Sequence, residues 1–288
     1  MINQQDLIKS AEIITEAIPY ISRYSGQTVV IKYGGNAMND PATLKTILQD
    51  VATLKVVGVN PVLVHGGGPE ITKMLAAAKI PNEFKNGLRV TSKEAMAVVC
   101  DALDHINKDI VGKLNALGVK AVGLNGKDAK LIEVVKMKDK TKTDYGFVGD
   151  INLINPQILE TLIPNYVPVI ATIGVDKNGE SYNINADIAA SAIGGALKAA
   201  KLVYLTDVDG VRMDEKKPET LISEICLKEV DKMIEDKKIS GGMLPKVLSC
   251  VNAIKGGIGN VSIINGTISH SILLELFTAK GIGTMFTR

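Results

Sequence analysis

The sequence has few of the residues that build disulfide, redox and metal sites. It contains three cysteines, three histidines and no tryptophan. Cys100, Cys226 and Cys250 lie far apart and include no CxxC spacing, so we expect small buried side chains in a reducing cytoplasm. No HExxH motif and no Cys/His cluster occurs, which argues against a dedicated transition-metal site.

Long apolar runs and a strong net charge are absent as well. Apolar stretches are interrupted well before the roughly 20 residues that a membrane span needs, and the N-terminal segment has no uninterrupted apolar core of a signal peptide. The net charge is +2 over 288 residues, of which 46% are hydrophobic, so charge gives no indication of a nucleic-acid or membrane partner. We therefore expect a soluble cytoplasmic protein of one large domain or two lobes.

Two common nucleotide-binding signatures are also missing. Neither GxxxxGKS nor GxxxxGKT occurs, which excludes a P-loop, and no GxGxxG follows a predicted strand, which counts against a dinucleotide-binding oxidoreductase.

The glycines cluster elsewhere. In Thr28–Met38, TVVIKYGGNAM, a buried strand delivers Lys32 to a turn at Gly34 and Gly35. Glycines allow a bound group to approach the backbone closely, and the lysine ammonium offers a positive charge to phosphate. The alternative interpretation of this segment is a tight turn followed by a solvated lysine.

A second glycine cluster follows the next predicted strand, Val59–Val64. There His65 is followed by three glycines, Pro69 and a predicted helix. Free backbone N–H groups at a helix N-terminus form an anion-binding geometry. The alternative is a tight connection, but three glycines are more than a turn requires, so we expect Gly67 and Gly68 to bind an anion.

Later segments repeat this arrangement. Lys246 follows the glycine pair of ISGGMLPK in the first turn of a predicted helix, and Asp187 begins an alanine-rich helix after YNINA. Residues 206–210, TDVDG, follow another buried strand. Arg89, in GLRVT, is either a snorkelling surface side chain or a bidentate partner for a carboxylate.

The order of segments predicts an α/β fold with an open, largely parallel sheet. Strands that read as continuous apolar runs alternate with helices, and ligands of such sheets lie at the carboxyl edge. Lysines beside glycine-rich anion sites suit phosphoryl transfer, which depends mostly on positioning and charge neutralisation. No nucleophile–base pair stands out, so we expect an acceptor that is already ionised, such as a carboxylate.

Residues 3–24 predict an amphipathic helix outside the strand pattern. Pro19 lies within it, so we expect a kink. We expect the apolar face of this helix to pack either on its own subunit or on the matching helix of another subunit. The apolar stripe consists of Leu7, Ala11, Ile14, Ile18 and Ile21.

The motifs VVIKYGGNAM, VLVHGGGPEI, GLRVT, SYNINAD, LVYLTDVDGV and ISGGMLPK, taken together and in this order, resemble the amino acid kinase family. HGGGP, GLRVT and YNINAD are similar to members that phosphorylate N-acetyl-L-glutamate, rather than to those acting on aspartate, carbamate, glutamate or UMP. The resemblance implies an αβα sandwich: an N-terminal helix over residues 1–25, an acetylglutamate lobe over 26–174 and an ATP lobe over 175–288. The implied reaction forms the γ-acyl phosphate from ATP, the second step of arginine synthesis.

The resemblance also implies the roles of the site residues. Lys32 and Lys246 would stabilise the transferring phosphoryl group, and Asp187 would hold both lysines in place. Mg²⁺ would be held mainly by phosphates and water, without an assigned protein ligand. The substrate would be bound by Gly67, Gly68, Arg89 and Asn183, and ATP by Gly34, Gly35, Thr206, Asp207, Gly210 and Lys246.

The N-terminal helix is similar to that of ring-forming, arginine-inhibited members of the family. This resemblance implies a homohexamer built as a trimer of dimers, inhibition by arginine, and a PII-type signalling protein as a candidate partner. The expected arginine site comprises Tyr20, His270, Glu275 and Gly281. Two other hypotheses stay open: a non-catalytic sensor that retains the binding sites, and a kinase of another acceptor such as glutamate, carbamate or a nucleoside monophosphate.

Overall fold

The computed structural model of the chain describes residues 3–35, 38, 40–138, 143–214 and 217–288. Asn36 and Ala37, at the end of the opening glycine motif, lie outside the described residues. All the residues expected above to bind substrate, ATP or arginine are described.

Helices and strands alternate along most of the chain, as the apolar pattern predicted. The helices are α1 (Gln4–Tyr24), α2 (Pro41–Val56), α3 (Gly68–Ala77), α4 (Lys93–Ala116), α5 (Gln157–Leu162), α6 (Ala186–Ala196), α7 (Leu227–Glu235), α8 (Met243–Lys255) and α9 (Ser271–Phe277). The strands are β1 (Thr28–Tyr33), β2 (Asn60–His65), β3 (Glu83–Lys85), β4 (Leu88–Val90), β5 (Ala121–Asn125), β6 (Ile132–Lys136), β7 (Gly149–Ile154), β8 (Val167–Ala171), β9 (Ile173–Val175), β10 (Ser181–Asn183), β11 (Lys201–Thr206), β12 (Glu224–Cys226), β13 (Asn260–Asn265) and β14 (Thr284–Thr287).

The main sheet has eight strands in the order β12-β14-β13-β11-β1-β2-β8-β5. Every neighbouring pair is parallel except β13 and β14. The first strand of the chain therefore lies in the middle, between β11 and β2. The prediction of an open, largely parallel α/β sheet is confirmed.

Apolar side chains of the central strands pack on both faces of this sheet. In β1, Val30 belongs to a core with α6 and α8, whereas Val29 and Ile31 belong to the opposite core with α2 and α9. All three are fully buried, because side chains alternate between the faces of a strand. This arrangement is the predicted αβα sandwich.

A smaller sheet, in the order β10-β9-β6-β7, lies beside the main one, and β3 and β4 form a separate antiparallel hairpin. The expected boundary at residue 174 falls inside β9. The main sheet contains strands from both expected lobes, since β1 pairs with both β2 and β11. The division into an acetylglutamate lobe and an ATP lobe therefore stays a prediction.

Helix α1 is continuous from Gln4 to Tyr24 through Pro19, and Tyr24 is its one buried residue. Its expected apolar stripe is largely uncovered: Leu7, Ile14 and Ile18 are 55%, 64% and 51% exposed. These three side chains are therefore not packed on the rest of the described chain, whereas Ile21, the last of the stripe, is half-buried. Within the described ranges, no helix combines the length and the apolar character that crossing a membrane requires.

Candidate active site

The first two glycine clusters lie side by side at one edge of the main sheet. Strands β1 and β2 are parallel neighbours in a register that pairs Tyr33 with His65, so both strands end at the same level. The N–H of Gly66 donates to the carbonyl of Tyr33 at 3.0 Å, which joins the two loops. The expectation that these loops share the carboxyl edge is met by this register.

Lys32 is fixed at this edge by an ion pair. Its Nζ lies 2.9 Å from Oδ1 of Asp187, and the lysine side chain is 13% exposed. Asp187 stands in the first turn of α6, where the side chain of Asn185 caps the N–H groups of Asp187 and Ile188. Asp187 Oδ1 is buried and accepts no hydrogen bond of standard geometry from the described residues. Its contact with the Lys32 ammonium is therefore an ion pair without the geometry of a hydrogen bond.

Lys32 and the glycine clusters line one cavity of about 180 Å³, here called the Lys32 cavity. Helices α3 and α6 both begin at this cavity, because Gly67 and Asn185 are their N-cap residues. Two helix N-termini and an ammonium group make the cavity suitable for anions. Seven of the expected site residues line it: Lys32, Gly34, Gly35, Gly67, Gly68, Arg89 and Asn183.

Arg89 is buried, with 7% of its surface exposed, so the interpretation as a snorkelling surface residue is wrong. Its Nη2 donates to Gly68 O and to Thr72 Oγ1, both at 3.1 Å, and its Nη1 donates to Asn82. The guanidinium also lies 4.6 Å from the ring centroid of Phe84. Burial lowers the pKa of Arg89, and an anion in the cavity would favour its charged form.

The second lysine, Lys246, lies at a neighbouring cavity of about 550 Å³, the Lys246 cavity. Its Nζ is 3.8 Å from Asp207 Oδ1, and α8 begins three residues before it. Gly210, which also lines this cavity, has φ of 148°, and a Cβ there would lie 2.5 Å from Thr284 Oγ1. Only glycine fits this position, because the loop packs directly against Thr284 at the start of β14.

Asp187 lies between the two lysines. A small gap of about 10 Å³ is bordered by Asp187, Thr206 and Lys246, so the residue that pairs with Lys32 also lies close to Lys246. The Oγ1 of Thr206 donates to Val208 O at 2.9 Å and shapes the turn after β11. In this structure Lys246 pairs with Asp207 rather than with Asp187, and each lysine faces its own larger cavity.

The donor set fits a magnesium ion that arrives with a nucleotide. Among the described residues, no group of three or more His, Cys, Asp or Glu side chains is arranged to hold a metal. The nearest carboxylates, Asp187 and Asp207, each face a lysine. Mg²⁺ keeps several waters and is commonly bound through substrate phosphates and one or two carboxylates, which this arrangement can provide.

The expected arginine site lies apart, around α9. Glu275 is buried, and its Oε1 lies 3.0 Å from Lys201 Nζ and accepts from Ser262 Oγ at 2.7 Å. Its Oε2 accepts from Ile282 N at 3.0 Å. Gly281 adjoins it, since a Cβ there would lie 2.5 Å from Oε2. Glu275 and Gly281 are therefore neighbours, and the carboxylate already contacts a lysine.

The other two expected arginine-site residues also lie near α9. His270 precedes α9 with φ of 56°, and its Nδ1 lies 2.7 Å from the buried Asp50 Oδ1. Tyr20 is half-buried on α1, which packs against α9.

Two further residues in these regions were not predicted from the sequence. Lys201 begins β11 and is 1% exposed. A lysine at the start of a buried strand was the feature of the sequence that could have indicated a buried charged residue. His65 was named only as the residue before the three glycines, yet it is fully buried next to Gly66, which lines the Lys32 cavity.

The fold and the two lysine cavities define an α/β enzyme suited to phosphoryl transfer. Residues 27–265 match the model of the amino acid kinase family. The chain is 49% identical over 279 residues to acetylglutamate kinase of Desulforamulus reducens, covering 96% of this chain and 97% of that protein. It is 48% identical over 293 residues to acetylglutamate kinase of Methanocaldococcus jannaschii, covering 98% of each.

Solved structures agree with this relationship. N-acetylglutamate synthase from Neisseria gonorrhoeae, complexed with coenzyme A and N-acetyl-glutamate, is similar with a TM-score of 0.85 and 26% identity. The match covers 96% of this chain and 63% of that longer one. A complex of the synthase with coenzyme A and L-arginine gives 0.80 and 25%, covering 96% of this chain and 65% of that one. The chain belongs to the amino acid kinase family and is a kinase.

Proposed function

We propose that the protein transfers the γ-phosphoryl group of ATP to the γ-carboxylate of N-acetyl-L-glutamate, the second step of arginine biosynthesis. The observation that carries this proposal is the position of Asp187, which contacts Lys32 at 2.9 Å and borders the gap beside Lys246. Relatives that match nearly the whole chain at 48–49% identity are acetylglutamate kinases. The product is N-acetyl-L-glutamyl 5-phosphate.

The acetylated amino acid binds in the Lys32 cavity. Arg89 holds the α-carboxylate with its planar guanidinium, which matches a carboxylate bidentately. Asn183 borders the same cavity, with its Nδ2 3.4 Å from Thr91 Oγ1, and contacts the substrate. The γ-carboxylate then points toward Lys32 and the N–H groups of Gly67 and Gly68. A carboxylate is already ionised, so the acceptor requires no general base.

ATP binds in the Lys246 cavity, with its phosphates directed toward the glycine loops. Thr206, Asp207, Gly210 and Lys246 provide the nucleotide side, and Gly34 and Gly35 meet the phosphates. A Cβ at Gly34 would lie 3.1 Å from Lys32 Nζ, so glycine keeps the ammonium accessible. Mg²⁺, bound through the phosphates and water, supplies additional neutralisation of charge on the phosphates.

The two lysines stabilise charge on the phosphoryl group as it moves between the cavities. Lys32 already faces the acceptor, and Lys246 approaches when it exchanges its ion pair with Asp207 for one with Asp187. Asp187 thereby orients both ammonium groups. Preorganised cations of this kind act without reorganisation at the moment of reaction. The division into lobes at about residue 174 places acceptor and nucleotide on opposite sides of this carboxylate.

Arginine inhibition and a hexameric ring form the regulatory part of the proposal. The exposed stripe of Leu7, Ile14 and Ile18 on α1 offers an apolar face to a second copy of the helix. Arginine binds near α9, with Tyr20, His270, Glu275 and Gly281 around it. The arginine complex of the related synthase supports a site on this fold. A PII-type signalling protein is a candidate partner of the ring, and the cytoplasm is the proposed location.

An assay with hydroxylamine tests the reaction, because hydroxylamine traps an acyl phosphate as a hydroxamate. We expect hydroxamate that depends on both ATP and N-acetyl-L-glutamate. Glutamate, carbamate and UMP serve as competing acceptors in the same assay. Turnover of one of these in preference to acetylglutamate would contradict the assigned substrate, and no turnover of any acceptor would favour a non-catalytic sensor.

A further inference from the structure

A buried histidine supports the glycine loop from behind, and the roles above do not use it. His65 ends β2 and has no exposed surface. Its Nδ1 lies 3.0 Å from the carbonyl oxygen of Gly66. On the other side of the ring, Nε2 lies 3.0 Å from Nδ2 of Asn107, a residue of α4 that is itself buried.

Asn107 determines which nitrogen of His65 carries the proton. Nδ2 of Asn107 lies 2.9 Å from Val169 O and 3.5 Å from Leu124 O. Carbonyl oxygens only accept, so the atom facing them is the amide nitrogen, and His65 Nε2 accepts from the same group. The proton of the neutral imidazole is therefore on Nδ1, from which it donates to Gly66 O. Burial lowers the pKa of His65 to about 4, which keeps the ring neutral.

Strand β5 leaves space for this network. A Cβ at Gly123 would lie 2.0 Å from Oδ1 of Asn107, a distance that no side chain tolerates. Glycine at this strand position therefore admits the Asn107 amide between β5 and α4. The histidine, the asparagine and this glycine form one buried unit behind the loop.

The carbonyl groups of the loop all point into protein. Gly66 O accepts from His65, Gly67 O accepts from Ile71 N at 2.8 Å, and Gly68 O accepts from Arg89 Nη2. The C=O and N–H of a trans peptide point in opposite directions. Holding Gly66 O toward His65 therefore directs the N–H of Gly67 away from the histidine. Gly67 lines the Lys32 cavity, and its N–H has no hydrogen bond to the described residues.

We propose that His65 is a positioning residue: held by Asn107 as an Nδ1–H donor, it fixes the Gly66–Gly67 peptide so that the Gly67 N–H faces the transferred phosphoryl group. The inference rests on the proposed function, and it names the residue that aims one of the anion-binding donors. His65 acts through Gly67 and does not touch the substrates.

Two variants separate the two hydrogen bonds of His65. The amide of His65→Asn lies near the Nδ1 position and can donate to Gly66 O, whereas that of His65→Gln reaches the Nε2 position and keeps only the contact with Asn107. We expect His65→Gln to lower kcat about 100-fold, because one misaimed donor costs on this order. We expect His65→Asn to retain kcat within roughly tenfold of wild type. The exposed His105→Gln is the control for loss of a histidine.

A merely structural role would lower the folded fraction of both variants and leave kcat per folded enzyme equal. Equal kcat values in His65→Asn and His65→Gln, or a change in the acetylglutamate KM alone, would overturn the role of His65. Absence of phosphoryl transfer by the wild-type chain would instead overturn the proposed function itself.

A spectroscopic test of the geometry requires no activity. The chain has three histidines, so the ring signals of ¹⁵N-histidine-labelled wild-type enzyme can be assigned with single variants. Two-bond nitrogen–proton correlations at pH 7 should identify His65 as the neutral, Nδ1-protonated tautomer. An Nε2-protonated ring or an imidazolium would overturn the inference, whether or not the variants fold.

Discussion

Lys246 illustrates how a single side chain contributes charge at the site. It lies in the first turn of α8, 3.8 Å from Asp207 and beside Asp187. We expect Lys246→Ala to lower kcat about 100-fold or more, because one preorganised charge is removed from the transition state. Steady-state kinetics measure the effect, and thermal unfolding checks the fold. Lys255→Ala, at the exposed end of the same helix, is the control; equal loss in both variants would contradict the role of Lys246.

Arg89 is expected to act on substrate binding. Its guanidinium is buried at the wall of the Lys32 cavity and held by Gly68 O and Thr72 Oγ1. In Arg89→Lys a planar fork becomes a point charge, so we expect the KM for acetylglutamate to rise about tenfold with little change in kcat. Initial-rate kinetics over a range of acetylglutamate concentrations measure both. Arg23→Lys, on exposed α1, should change neither, and an unchanged KM in Arg89→Lys would remove Arg89 from the site.

His65 also makes a prediction about stability and pH. Its pKa is about 4 in the folded chain against 6.5 ordinarily, so below pH 6.5 the unfolded chain binds a proton that the folded chain cannot. Protonation then favours unfolding. We expect a loss of about 3 kcal/mol from the free energy of unfolding between pH 6.5 and 4.

Denaturant unfolding at several pH values measures this loss. In His65→Gln the titrating group is absent, so its free energy of unfolding should not include this loss. The difference in free energy of unfolding between wild type and variant should therefore shrink by about 3 kcal/mol as the pH falls to 4. His105→Gln, where the histidine is exposed, should follow the wild-type curve. A constant difference between His65→Gln and wild type over this range would contradict the prediction.

At the scale of elements, helix α6 shows how close packing depends on small residues. A Cβ at Gly194 would lie 2.7 Å from Ile258 Cδ1, and one at Gly195 would lie 2.8 Å from Gly256 O. The alanine-rich sequence of α6 therefore allows it to approach both the sheet and α8. This helix carries Asp187, so its distance from the sheet sets the position of the carboxylate between the two lysines.

A matched pair of glycine substitutions tests this packing. Ala is preferred over Gly in a helix by about 1 kcal/mol, so Gly112→Ala should stabilise the chain, since a Cβ there meets nothing within 4 Å. Gly194→Ala should instead destabilise it by roughly 1–3 kcal/mol through overpacking. Thermal or denaturant unfolding measures both. Stabilisation in Gly194→Ala would show that α6 and Ile258 can separate at little cost.

Local patterns in the sequence were sufficient to predict a largely parallel sheet and the edge at which the glycine loops lie. The β-branched run Val29–Ile31 indicated a strand buried on both faces, and chain order placed Lys32 and the glycines that follow it at the edge. Contacts between distant segments were not predictable in this way. Lys201 meets Glu275, and Asp50 meets His270 across 220 positions; neither pairing leaves a periodic or local signal.

The uncovered face of α1 is a property of the whole molecule, because nothing in the described part of the chain covers it. We expect the enzyme to assemble through this helix, since packing Leu7, Ile14 and Ile18 against a second copy removes their apolar surface from water. Ile14→Glu should reduce the proposed hexamer to dimers and so lower the mass in solution about threefold. Light scattering coupled to size exclusion measures the mass.

The same variant separates assembly from folding and connects it with regulation. Ile14 is 64% exposed, so Ile14→Glu should leave the free energy of unfolding of a subunit nearly unchanged, as surface substitutions usually do. Arginine inhibition should weaken in parallel with the loss of mass, because the expected effector site lies where α1 packs against α9. Lys9→Glu, a charge change outside the stripe on the same helix, is the control. An unchanged mass in Ile14→Glu would exclude this face as the contact between subunits.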